Sequence, residues 1–135
     1  MPDSPHLATA EGLLDRIARL DIDGLRGYLH EDIVMELPFA PGNEPLRFAG
    51  LENVIRAMRS APETFHRFQF SIHERYWCAG RNTAILEATS MGLMKSRRIY
   101  QNRYVFVFRF REDRVVRWLE FFDPLAAAAT MDTQS

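Results

Sequence analysis

A single cysteine, Cys78, stands in a chain of 135 residues. One thiol makes no intramolecular disulfide and supplies no cysteine-based zinc centre. No apolar run approaches the ~20 residues that a membrane helix needs. The opening Met1-Pro-Asp-Ser-Pro-His6 has neither the basic nor the apolar region of a secretory leader. There is no excess of one charge: 17 basic residues stand against 18 acidic ones, a net of -1. Such a chain has no general field to draw nucleic acid or an anionic membrane. Glycine-rich phosphate loops and Gly-x-Ser-x-Gly elbows are missing. His6, His30, His66 and His73 show no ligand spacing, so no metal site is expected. The expectation is a cytoplasmic protein with no cofactor and no nucleic-acid or membrane partner.

What is present fits one globular domain with a single core. The composition is 47% hydrophobic and 26% charged. Ten Phe, four Tyr and two Trp gather mainly in the second half, so a ring-lined core or pocket is expected there. Residues 1–7 read as a flexible tail, 8–125 as the domain and 126–135 as a C-terminal tail in which the Leu-Ala-Ala-Ala-Ala run adds one helical turn.

Leu13, Leu14, Ile17, Ala18 and Leu20 recur at helical spacing, which predicts a helix over 9–20 with Thr9 as its N-cap. Asp21 is placed to cap a short helix over 22–29, weakened by Gly24 and Gly27. His30-Glu-Asp32 reads as a turn, and 33–39 as a strand stopped by Pro38. Residues 40–45 (Ala-Pro-Gly-Asn-Glu-Pro) form a loop suited to a pocket mouth. Gly50 precedes a third amphipathic helix, with Leu51, Val54, Ile55 and Met58, that ends at Pro62. Met35, Phe39, Met58, Met91 and Met94 read as core.

From Phe65 the period changes to two, and four long strands follow at hairpin spacing. Consecutive hairpins make an antiparallel sheet, and the helices must cover one face of it. The fold class is therefore α+β, with a strongly curved sheet that leaves a conical space open at one end.

One carboxylate, Glu120, lies in the last strand among Trp118, Phe121 and Phe122. In the preceding strand Tyr100, Asn102, Tyr104, Phe106, Phe108 and Phe110 share one face, and Arg103, Arg109 and Arg111 share the other. The ring-rich face is the better interior. If Glu120 points into it, a mostly apolar pocket with a few convergent polar groups results, the usual anatomy of a small-molecule site. Burial would raise the pKa of Glu120 and suit it to acid/base work near neutrality. Pairing of Glu120 with Arg103 or Arg117 is the structural alternative. His73 and Glu87 are further polar candidates for the pocket, and Glu87 fits a cross-strand arginine pair slightly better.

Asp21-Ile-Asp-Gly-Leu25, then Leu29-His-Glu-Asp-Ile-Val-Met-Glu-Leu-Pro-Phe39, resembles the opening of the nuclear-transport-factor-two-like superfamily. Pro45-Leu-Arg-Phe-Ala-Gly50, Tyr100-Gln-Asn-Arg-Tyr104 and Arg117-Trp-Leu-Glu-Phe-Phe-Asp-Pro124 are most similar to its SnoaL-like polyketide cyclases and phenazine-biosynthesis A/B-type proteins. The resemblance covers roughly residues 8–125. It implies a cone-shaped α+β barrel, commonly homodimeric through the outer sheet face, with a catalytic Asp or Glu in the last strand just before an aromatic residue. Glu120, followed by Phe121, matches that position. The ketosteroid isomerases of the superfamily carry polar catalytic groups where this chain has Leu13, Leu37 and Phe106, so their chemistry is not expected. Nor is there an Asp-Arg-Asp arrangement of the limonene-type epoxide hydrolases.

The function implied is a cofactor-independent cyclase or isomerase acting on a small apolar or polycyclic carbonyl compound. Glu120 would be the general acid/base. Tyr100, Asn102 or Tyr104 would orient a carbonyl, and Phe106, Trp118 and Phe122 would form the wall. A non-catalytic binding or scaffold domain with the same pocket is the second reading.

Overall fold

The computed structural model describes residues 4–42 and 46–132. Helix α1 runs Pro5–Ala18 and is followed by a 3-10 turn, Asp23–Gly27. Strands β1 (Leu29–Leu37) and β2 (Leu46–Ala49) come next, then α2 (Leu51–Met58) and α3 (Ser60–Thr64). The long strands are β3 (Phe65–Cys78), β4 (Thr83–Met94), β5 (Ile99–Arg111) and β6 (Arg114–Phe122), and α4 is Pro124–Asp132. Among the described residues no helix is long and apolar enough to cross a membrane.

Helix α1 starts four residues before the expected 9–20. Pro5 occupies the first turn, where its missing N–H is not needed, and Ser4 Oγ accepts from His6 N at 3.1 Å. Thr9 is not the cap; its hydroxyl donates to Pro5 O within the helix. Residues 4–7 of the expected tail are thus ordered chain, while residues 1–3 lie outside the described residues. Leu7, Ala10, Leu13, Leu14 and Ile17 form the buried stripe.

Asp21 does cap the next turn, accepting from Gly24 N at 3.0 Å, but the turn is 3-10 and shorter than the helix expected over 22–29. His30 to Asp32 belong to β1 rather than to a turn. At the loop, residues 43–45 lie outside the described residues. The last helix exceeds the single turn expected, because Asp123 Oδ1 accepts from Leu125 N at 2.9 Å and starts it.

The six strands form one curved sheet in the order β2-β1-β6-β5-β4-β3. All neighbours are antiparallel except β1 and β6, which pair in parallel with Met35 beside Trp118. The wholly antiparallel sheet expected from hairpin spacing is corrected on this point. The parallel pair brings the first strand against the last and curls the sheet around the N-terminal helices. Along β4 and β5 alternate residues are buried against those helices. Phe106, Phe108 and Trp118 are almost wholly buried, each contributing about 2 kcal/mol of hydrophobic stabilisation.

Candidate functional site

The inner face of the sheet and helices α1 to α3 form a cavity of about 440 Å³ that is open to the outside. Ile17 comes to it from α1 and Leu20 from the turn just after that helix, Met35 and Leu37 from β1, and Phe65, Phe68 and Phe70 from β3. The rings of Phe68 and Phe70 meet edge to face at 5.0 Å, and Phe70 meets Tyr104 at 5.5 Å. Among the described residues, four that line it carry polar side-chain groups, namely Ser60, Tyr100, Tyr104 and Glu120. Ser60 is already committed, donating to Ala57 O.

Glu120 reaches this space through the pleat of β6. A bulge between Arg109/Arg117 and Phe110/Val115 breaks the simple alternation, so Val115 is buried on the same side as Trp118. Beyond it Trp118 and Glu120 face inward opposite Phe108 and Phe106. Trp118 Nε1 donates to Glu120 Oε1 at 3.1 Å. Glu120 makes no ion pair among the described residues; Arg117 instead approaches Glu36 at 3.7 Å. The arginine-paired alternative therefore does not hold.

Burial pushes the Glu120 carboxyl up to about 7, against a weaker opposite pull from the Trp118 hydrogen bond. Burial also raises Tyr104 and Tyr100 above the ordinary phenol value, and the nearby Glu120 charge adds to both shifts. Both phenols stay neutral near pH 7 and remain hydrogen-bond donors.

The other expected site residues are placed differently. Asn102 is buried behind Tyr100 and donates to its Oη, without lining the cavity. Phe106 is core, stacked between Tyr104 at 5.2 Å and Phe108 at 5.6 Å. Trp118 is likewise core and touches the site through its indole N–H. Phe122 packs against the core and lies along a second groove that also holds His73 and Glu87, without lining the cavity. On β4 the buried row that flanks Glu87 is Ala84, Leu86, Ala88 and Ser90, which turns Glu87 outward. There it accepts from Tyr76 Oη at 2.7 Å, not from a cross-strand arginine. His73 sits at a strand irregularity and bonds Thr89 Oγ1 at 2.8 Å. Neither faces the cavity.

Leu46 and Phe48 of β2, and Ala61 of α3, complete the wall. The strand β2 gave no signal because four residues are too short to display alternation. Met35 and Met58, read as core, also touch the cavity, and nothing in a helical or strand period separates the two situations.

Three comparisons bear on this arrangement. Residues 10–118 match the family described as a SnoaL-like domain. An uncharacterized protein of Bacillus subtilis (strain 168), YesE, is 29% identical over 96 residues, which are 70% of this chain and 65% of that protein. The match thus spans a little under two thirds of that relative. A crystal structure of a provisionally assigned isomerase from Bacillus subtilis superposes with a TM-score of 0.86 at 23% identity, over 95% of this chain and 93% of that one. The pinacolase BvnE from Penicillium brevicompactum superposes with a TM-score of 0.81 at 16% identity, over 96% and 94%. At these identities the structures establish a shared fold.

Proposed function

The chain belongs to the SnoaL-like domain family, and from that premise we propose that it is a cofactor-independent enzyme of the isomerase or cyclase type. Its substrate is a small, largely apolar compound that bears a carbonyl group. Glu120 is the general acid/base, and the phenols Tyr100 and Tyr104, which line the same cavity, include the hydrogen-bond donor to the carbonyl oxygen.

The observation that carries the reading is a carboxyl without an ion pair, opening into an apolar cavity, with its pKa raised to about 7. At that value both protonation states are present near neutrality, so one group can accept a proton and return it. The Trp118 hydrogen bond engages Oε1 and leaves Oε2 for the substrate. The phenols supply the complementary half, because uncharged donors stabilise an oxyanion that develops in a site shielded from water. The names of the solved relatives, an isomerase and a pinacolase, lie in the same broad area of chemistry.

The test is proton exchange. Tricyclic and bicyclic aryl ketones, beginning with 1-tetralone, are incubated with the protein in D2O, and deuterium at the α-carbon is followed by NMR. The protein is expected to accelerate exchange. Glu120→Gln is expected to lower the rate about 100-fold or more while ketone binding persists. Undiminished exchange in the folded variant excludes the role. Binding of ketones without any accelerated exchange by the unaltered protein would favour a ligand-binding domain, with Glu120 as a hydrogen-bonding anchor.

A further inference from the structure

Tyr100 and Tyr104 both line the cavity, yet the hydrogen bonds behind them treat the two hydroxyls differently. Asn102 lies between them on β5 and is 4% exposed. Its Oδ1 accepts from two backbone amides, Arg103 N at 2.7 Å and Asp123 N at 2.8 Å. Two donors on one atom settle which end of the amide is the oxygen, since an NH2 group has nothing to accept with. Nδ2 must then point the other way. It donates to Asp123 O at 3.1 Å and to Tyr100 Oη. Asp123 also caps α4, so the amide is anchored to the corner between β6 and that helix.

A phenol oxygen has one hydrogen to give. Tyr100 Oη already accepts a hydrogen bond from Asn102. Ser90 Oγ lies 2.8 Å from Tyr104 Oη, so Tyr104 has an acceptor for its own proton beside it. Asn102 approaches Tyr100 as a donor only, so Tyr100 keeps its O–H for a partner in the cavity that it lines.

We propose that Asn102 is a positioning residue that fixes Tyr100, rather than Tyr104, as the donor to the substrate carbonyl. The inference rests on the acid/base reading of Glu120 given above. In the step it serves, the α-carbon C–H bond breaks and the proton passes to the Glu120 carboxylate. The C–H electron pair becomes the enolate double bond, and the carbonyl π pair moves onto oxygen, where Tyr100 meets it. Where a second double bond is conjugated with the enolate, return of the proton from Glu120 to the far carbon completes an isomerisation; attack of the enolate carbon on a second carbonyl carbon of the same molecule closes a ring, that carbonyl's π pair moving onto its oxygen, which takes the proton from Glu120. Donation from Asn102 strengthens the Tyr100 donor at that moment.

The test compares 1-tetralone with tetralin, which lacks the oxygen, and reads the carbonyl stretch of bound 1-tetralone by infrared difference spectroscopy. The unaltered protein is expected to prefer the ketone and to lower its carbonyl frequency. Tyr100→Phe should reduce that preference about fivefold, the worth of one hydrogen bond, and abolish the frequency shift. Tyr104→Phe should keep most of both. Asn102→Asp retains the oxygen that the two amides need but replaces the donor with an acceptor. Tyr100 then donates backwards, and the frequency shift is expected to vanish although Tyr100 is intact. A shift that survives in Tyr100→Phe, or that is lost only in Tyr104→Phe, overturns the proposal. So does a full shift in a folded Asn102→Asp protein. Should that variant fail to fold, the two Tyr variants still decide whether Tyr100 is the donor, and Asn102→Ala takes its place for the positioning role. Glu120→Gln separates the two ideas. If exchange is independent of Glu120 while the Tyr100 shift stands, the acid/base reading has failed and the Tyr100 assignment has not. Failure of the protein to bind any ketone overturns both.

Discussion

The indole N–H of Trp118 donates to Oε1 of Glu120 at 3.1 Å, two residues along the same strand. Trp118 is fully buried, so its ring cannot swing away, and the carboxyl is held by a group that itself has no freedom. The bond favours the carboxylate and so opposes the effect of burial.

Trp118→Phe should therefore release the opposing pull. The Glu120 pKa should rise further, by about 0.7 unit if the bond contributes about 1 kcal/mol. Since the base form must be ionised, the rising limb of the pH–exchange profile should move to higher pH by the same amount. The profile for 1-tetralone exchange, measured on the protein and the variant, reads this directly. Loss of the larger ring should also cost about 1–3 kcal/mol in urea unfolding. A destabilised variant with an unmoved profile would show that the indole only fills space.

The raised carboxyl has a second consequence, for stability. Its folded value is about 7 against an ordinary 4.5. Between those values the folded state holds a proton that the unfolded chain has released. The contribution is fully present below about pH 4.5 and is lost as pH rises through about 7, amounting to about 3 kcal/mol. Glu120→Gln has no such titration. The unaltered protein should lose stability relative to this variant between pH 5 and pH 8, as read from urea midpoints. The carboxylates of Asp23 and Glu52, held low by Arg59 and Arg26 respectively, titrate with the opposite sign but equally in both proteins. Parallel pH dependences would mean that Glu120 ionises normally.

Much of this arrangement was legible in the sequence, for reasons that differ by element. Strands β3 to β6 announce themselves by alternation, and they follow one another from Phe65 as the pattern marks. Glu120 stands out because an acid in an apolar strand needs a reason. Tyr100 and Tyr104 follow from the ring-rich row of β5. Depth along the cone is another matter. A period of two says which face Phe106 and Trp118 occupy, not whether they reach the cavity or stop in the core. On β4 the two faces, Ala-Leu-Ala-Ser and Ile-Glu-Thr-Met, differ little in polarity, so the outward placing of Glu87 was not decided by pattern. The pairing of β1 with β6 joins residues some eighty positions apart, and no local signal carries it. The start of α1 was hidden because Ser4-Pro5 reads equally as tail and as cap.

Gly92 marks where the cavity wall has no room. A Cβ at this position would lie 2.8 Å from atoms of both the Phe65 and the Phe68 rings, which line the cavity. Gly92→Ala must push those rings inward. The expected results are a loss of about 1–3 kcal/mol in stability and weaker binding of 1-tetralone and tetralin alike, since the wall moves rather than the polar groups. Gly80→Ala, where nothing lies within 4 Å of the added atom, is the control and should leave both unchanged. Tight binding by a stable Gly92→Ala protein would mean that the cavity can expand elsewhere.

The outer face of the sheet carries a different kind of signal. Met91, Val105 and Ile99 are 44%, 37% and 65% exposed, and Val105 lies on β5 between Glu87 and Phe121 of the neighbouring strands. Apolar side chains exposed on a broad sheet face are what a second copy of the chain would cover, and a stable interface of this sort hides about 800 Å² per partner. Sedimentation velocity is expected to find a dimer at micromolar concentration. Val105→Lys places a charge in the centre of that face without touching the core, so it should give a monomer with an unchanged circular dichroism spectrum. Its cavity lies on the opposite side of the sheet, and Glu120-dependent exchange should persist. A monomeric unaltered protein, or a variant that remains dimeric, would exclude this face as the interface.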